Sequence, residues 1–163
     1  MRVSDLMVTP PITVAPDATA LEAARRMEAE AVGCLMVAEG GVLHGVLTDR
    51  DLVVRVLATG ATPETPVGVL MSAPAVTIDA DQDLAAAYRA FRRSGVRRLP
   101  VLEAGRPVGL LAIDDLFLDV LQRLSDLLGP VSWSALREGG PGPGPTHPRS
   151  TPWNSTGTPS ARS

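Results

Sequence analysis

At 163 residues, 45% of them hydrophobic and 20% charged, the chain is long enough for one soluble domain built from two small halves, with residues to spare. A net charge of −3 argues against a general nucleic-acid or anionic-membrane binder. No apolar run approaches the roughly 18–20 residues that cross a bilayer. Cys34 is the single cysteine, so no intrachain disulfide forms, and His44 and His147 are too far apart to suggest a metal site with it. The opening, MRVSDLMVTPP, lacks the apolar stretch of a signal peptide, which makes the cytoplasm the expected location. All fifteen basic residues are Arg, a composition bias that weakens the case for any one Arg as a chosen ligand.

In chain order, VSDLM at 3–7 leads to a short strand, ITV at 12–14. A helix of period 3.6 follows, with Ala20, Ala23, Ala24, Met27 and Ala31 on one face and Asp17 or Thr19 as its cap. CLMVA and VLHGVL read as strands around the turn EGG, and DRDLVVRVLA as a second helix. ATGATPETP at 58–66 has a linker's turn residues. The series then recurs. VGVLM at 67–71 precedes a β-rich AVTI at 75–78. A helix follows with Leu84, Ala87, Tyr88, Phe91 and Gly95 on one face, capped by Asp81 or Asp83. RLPVL and RPVGLL surround EAG, and IDDLFLDVLQRL closes the series. From Gly129 onward, Gly, Pro, Ser and Thr dominate. Residues 139–163 bury too little apolar surface to offset their ordering entropy, which predicts disorder. VSWSAL at 131–136, with Trp133, fits either docking on the core or membership of the tail.

A shift of 64 positions, as from Val3 to Val67, aligns residues 3–57 with 67–121 without a gap. Met7 meets Met71, Thr13 meets Thr77, Leu35 meets Leu99, Gly45 meets Gly109 and Asp51 meets Asp115. The expected fold is α+β: tandem β-α-β-β-α repeats packed as a pseudo-two-fold pair, with a disordered C-terminal tail. Repeat 1 occupies 1–58, a linker 59–66, repeat 2 67–128 and the tail 129–163. One half alone, about 60 residues, would have a marginal core, which favours packing of the two.

These residues resemble the CBS domain pair, also called the Bateman module, in its small stand-alone bacterial form. The carriers are VSDLM, PITVAPDAT at 11–19, VLHGVLTDRDL at 42–52, VGVLM and VRRLPVLEAGRPVGLL at 96–111. The resemblance implies two related clefts between the sheets that often bind adenine nucleotides such as AMP, ATP, S-adenosylmethionine or NAD-type ligands. It further implies a homodimer arranged as a disc of four repeats, and regulation of an effector protein.

The chemistry of T-x-x-D can be read independently. Thr48 and Asp51 stand where a strand ends and a helix begins, where free N–H groups and the positive dipole end favour an anion. A carboxylate accepts hydrogen bonds only, so Asp51 suits the ribose diol and Thr48 a phosphate oxygen. The same residues also fit a capping box without any ligand. The second copy has Asp115 but Ala112 in place of the threonine, and Asp114 is available as a cap. The repeat-1 cleft is therefore expected to be the better nucleotide site. Arg97 and Arg98 fit a phosphate contact or a solvated basic face with Arg89, Arg92 and Arg93. By the resemblance, Ile12, Thr13, Val76 and Thr77 edge the base pocket, with Met36 and Pro100 flanking the clefts; strand propensity and core packing are the plain alternatives. Cys34 and His44 read as structural. No nucleophile–base pair or metal cluster points to catalysis, and the Arg-rich stretch lacks the interleaved aromatics of a nucleic-acid binder. The leading function is a sensor of adenine nucleotides, and the alternative is a ligand-free dimeric interaction module.

Overall fold

The structure, a computed structural model, describes residues 1–138. Met1–Arg123 form one compact unit, and Leu124 begins a second whose described part is helical. A 3-10 turn at Val3–Asp5 precedes β1 (Thr13–Val14), α1 (Ala20–Ala29), β2 (Cys34–Glu39) and β3 (Val42–Thr48). Next come α2 (Asp49–Leu52), a π-helical turn at Val53–Leu57 and α3 (Val67–Leu70). The second series is β4 (Ile78–Asp79), α4 (Leu84–Ser94), β5 (Arg98–Glu103), β6 (Arg106–Ala112) and α5 (Ile113–Glu138).

Two three-stranded sheets result, β1-β2-β3 and β4-β5-β6. In each the first strand runs parallel to the second and the second antiparallel to the third. Each carries a register shift at the same repeat position, Val37/Ala38 and Val101/Leu102. The α+β duplication expected from the sequence is present. β4 starts one residue later in its repeat than β1. Met36 donates its N–H to Ile12 O at 3.0 Å, whereas its counterpart Pro100 has no N–H to give Val76.

Helix ends follow local chemistry. Thr19 caps α1 in a box with Glu22: Thr19 N–H donates to Oε2 at 2.7 Å and Glu22 N–H to the hydroxyl at 3.2 Å. Asp83 caps α4 by accepting from Ala86 N–H at 2.7 Å. Ala31 and Gly95 lie beyond the helices rather than on their apolar faces. Both adopt the left-handed conformation, with φ of 53° and 68°. α5 continues through Glu138, past the expected start of the tail at 129, and takes in VSWSAL. Leu, Ala, Arg and Glu are strong helix formers, and Pro130 removes one backbone donor without ending the element. The disorder expected at 139–163 falls outside the described residues.

Each half has its own core, and the two exchange one segment. Ala23, Met27, Leu35, Val37 and Leu47 form one core, completed by Val67 and Leu70 from the second repeat. Ala87, Phe91, Leu99, Val101 and Leu111 form the other, completed by Val3 from the first. Full burial of such a side chain contributes about 1.5–3 kcal/mol, so each half is stabilised by the other's opening residues. The linker is docked: Thr65 O and Pro63 O accept from the free N–H groups of Ala20 and Leu21 at 2.9 and 3.0 Å.

Each crossing segment bridges the other sheet's third strand, Val8 to Leu110 and Ser72 to Val46. Gly109 and Gly45 make room for this. A Cβ at Gly45 would lie 2.7 Å from Ser72 O, and one at Gly109 2.9 Å from Val8 O. Gly45→Ala and Gly109→Ala should each cost about 1–3 kcal/mol in urea unfolding, as overpacking does. Ala31→Gly should instead stabilise by about 0.5–1 kcal/mol, by relieving an L-residue of a left-handed backbone.

Candidate functional site

A cleft of about 270 Å³ opens between the two sheets. One wall is Val8, Pro10, Pro11 and Ile12, from the crossing segment and the entry to β1. The turn before β2 contributes Ala31 to Gly33, and β2 itself Cys34 and Met36. The opposite repeat supplies Arg98 at the start of β5, Leu110 and Ala112 on β6, and Asp114 and Asp115 on the first turn of α5. One repeat thus gives the apolar wall and the other the charged groups.

The charged groups differ in their engagement. Asp114 pairs with Arg97 at 3.3 Å and with Arg98 at 3.6 Å. It holds the two strand-entry arginines rather than capping α5. Asp115 is half-buried in the cleft, and among the described residues its carboxylate has no hydrogen bond or ion pair. Burial pushes the Cys34 thiol up to about 11, opposed by Arg98 and reinforced by Asp51 and Asp49.

Thr48 and Asp51 are arranged differently. Asp51 Oδ2 accepts from Thr48 N–H at 2.9 Å and from its hydroxyl at 2.7 Å, and Asp51 N–H donates back to Thr48 Oγ1 at 3.1 Å. The other carboxylate oxygen pairs with Arg55 at 3.4 Å. Here T-x-x-D is a capping box, the alternative that the sequence left open. The cleft described above lies on the Asp115 side, although the hydroxyl pointed to Thr48. Thr48 and Asp51 spend their polar atoms on each other and on Arg55.

Of the other expected residues, Ile12, Met36 and Arg98 line the cleft with Asp115. Thr13 is exposed and edges a separate shallow depression with Asp17, Glu22 and Arg26. Val76 and Thr77 are exposed and precede β4. Pro100 is fully buried in β5, and Arg97 lies outside the cleft beside Phe117 and Leu118. Cys34 is buried, as its structural reading expects, but it also lines the cleft; the sequence did not single out that role, the Val8–Pro11 wall or Arg55. Arg55 had a signal, since it stands four residues after Asp51 at helical spacing, while its repeat counterpart is Asp119.

The sequence profile of the CBS domain matches residues 3–58 and 67–121, so the chain belongs to the CBS domain family as a tandem pair. It is 40% identical over 114 residues to the CBS domain-containing protein YhcV of Bacillus subtilis, covering 70% of this chain and 81% of that protein. It is 32% identical over 114 residues to hypoxic response protein 1 of Mycobacterium tuberculosis, covering 69% and 80%. The crystal structure of hypoxic response protein I with two coordinated zinc ions superposes with a TM-score of 0.65 at 30% identity, covering 71% of this chain and 96% of that one. Among the described residues here, no group of three or more His, Cys, Asp or Glu is placed to hold such an ion. A CBS domain protein from Pyrobaculum aerophilum complexed with AMP shares the fold, with a TM-score of 0.69 at 24% identity over 77% of this chain and 99% of that one. Among the described residues no helix is long and apolar enough to cross a membrane.

The protected thiol gives a direct check on the cleft. Alkylation of Cys34 by iodoacetamide should be slow at neutral pH and accelerate toward about 11. An unfolded thiol ionises near the ordinary 9.0, so the sign of the linkage is negative: stability should fall as pH rises from 9.0 to about 11.

Proposed function

We propose that this chain is a regulatory module that senses an adenine nucleotide in the Asp115 cleft and acts in the cytoplasm on an effector protein. The observation that supports it is an unengaged carboxylate in a cleft whose facing wall is apolar, with the Arg98 guanidinium lining the same cleft. Asp115 accepts the ribose hydroxyls, and Ile12 and Met36 give the base an apolar surface. Arg98 takes the phosphate in place of the hydroxyl absent at Ala112, and in doing so exchanges Asp114 for the ligand. The cleft, at about 270 Å³, is slightly below the roughly 300 Å³ at which small-molecule sites begin, so the phosphate emerges rather than being enclosed. The AMP complex on the Pyrobaculum fold is in keeping with a nucleotide on this scaffold.

A second reading rests on a different observation. Val53, Val54 and Leu57 after α2 are exposed, as are Phe117 and Leu118 on α5. These faces suit a homodimer that forms a disc of four repeats, and such a dimer could act on a partner without a small ligand.

Calorimetry and thermal unfolding with AMP, ADP, ATP, S-adenosylmethionine and NAD separate the two. A binder at a hundred times its Kd should stabilise the chain by about 2.7 kcal/mol. Asp115→Ala should weaken it about tenfold or more, as loss of hydrogen bonds to a charged group does, while Asp51→Ala leaves the affinity unchanged. No response at millimolar concentrations of any of the five would leave the ligand-free dimer as the better reading.

A further inference from the structure

By the 64-residue repeat, Thr48 and Asp51 hold the positions that Ala112 and Asp115 hold in the cleft, yet Asp115 is unengaged and Asp51 is not. The difference sits one helical turn after the aspartate. On the π-helical turn that continues α2, Arg55 reaches across to the opening of the second repeat. Its guanidinium donates to Leu70 O, to Met71 O at 2.9 Å and to Ser72 Oγ at 3.2 Å, while pairing with Asp51 at 3.4 Å. Leu70 and Met71 end α3, where carbonyls lack helical partners, so one guanidinium satisfies a helix C-terminus and a carboxylate together. Shifted by 64 positions, Ser72 corresponds to Val8 and Asp51 to Asp115, both of which line the open cleft. Arg55 therefore spans the two sides of the pseudo-equivalent cleft.

In the open cleft the corresponding residue is Asp119. It turns away along α5 to pair with Arg123 at 2.8 Å, leaving Asp115 unengaged. Two carboxylates there would repel each other in any case.

We propose that Arg55 is an internal occupant of the Thr48–Asp51 cleft, closing it to ligand and restricting the module to one nucleotide per chain. The Arg55 side chain occupies the ribose-accepting group and ties the rim formed by Ser72 to the floor formed by Asp51. It acts as a specificity-determining residue by denying the cleft rather than by touching the ligand. The inference rests on nucleotide binding in the Asp115 cleft, and the test below also reads the tie without nucleotide.

Calorimetric stoichiometry is measured with AMP on the full chain and on Arg55→Met. The expected result is one AMP per wild-type chain, lost in Asp115→Ala, and two per Arg55→Met chain. The added site should vanish on introducing Asp51→Ala. A wild-type stoichiometry of two, or an unchanged stoichiometry of one in Arg55→Met, overturns the proposal while leaving nucleotide binding intact. Hydrogen exchange without any nucleotide is the second measurement. Residues 67–72 should exchange about tenfold faster in Arg55→Met, since hydrogen bonds to a charged group are lost. Unchanged exchange there overturns the tie even if neither protein binds AMP. If Arg55→Met fails to fold, Arg55→Gln keeps an amide donor toward Met71 O while losing the charge that holds Asp51.

Discussion

The close passage of each opening segment over the other repeat's third strand is the contact on which this structure depends. Two glycines permit it. With no Cβ at Gly45 or Gly109, the Ser72 and Val8 carbonyls come within van der Waals reach of the strand backbone, and paired N–H···O bonds of 2.8–3.1 Å form on both sides. That passage carries Val3 into one core and Val67 with Leu70 into the other. It also places Val8 and Pro10 opposite Leu110 and Ala112, which creates a cleft with walls from both repeats. A sheet pair stacked without the exchange would have no such two-sided space.

On this symmetric frame, a few substitutions break the equivalence. Position 48 carries a hydroxyl and 112 a methyl, 34 a thiol and 98 a guanidinium, 55 a cation and 119 an anion. Their consequences are coupled through local pairing. Thr48 holds Asp51 as a cap, and Arg55 takes the remaining oxygen. Ala112 makes no such demand, so Asp115 is left for another partner. An apparently degraded motif copy is thus the copy with the available acceptor. Desolvation decides the matter: a half-buried carboxylate that is not already hydrogen-bonded gains most from a donor ligand.

The duplication, the order of elements and the docking of apolar faces were legible because they rest on periodicity and on a fixed offset. Leu35 with Leu99 and Leu47 with Leu111 can be paired by counting alone. The site was less legible. Whether T-x-x-D serves a ligand or its own helix depends on where Asp51 rotates, and that depends on Arg55 and on carbonyls 15 and 16 residues away. Ala31 continues the 3.6-residue apolar period of α1, so periodicity alone extends the helix to it. Its alignment with Gly95, a left-handed C-terminal residue, was the available sign that the chain turns there. The β-rich AVTI at 75–78 likewise put the strand too early: β4 begins at Ile78, and the missing N–H of Pro100 is the sign of it in the sequence.

The segment exchange sets an order of assembly. The buried residues of the core that receives Val67 and Leu70 all lie between Ala20 and Leu70, with Ile12, Val14, Ala18 and Met71 packed against them, so this core is complete before the strands of the second repeat are made. The core that receives Val3 needs Ile78 through Leu116 as well, so its partners span nearly the whole unit and their closure is the more costly in chain entropy. Val3 and the Leu6 and Met7 side chains beside it stay without a core until most of the unit has been made. Val3 is therefore buried only after residues far along the unit have been made.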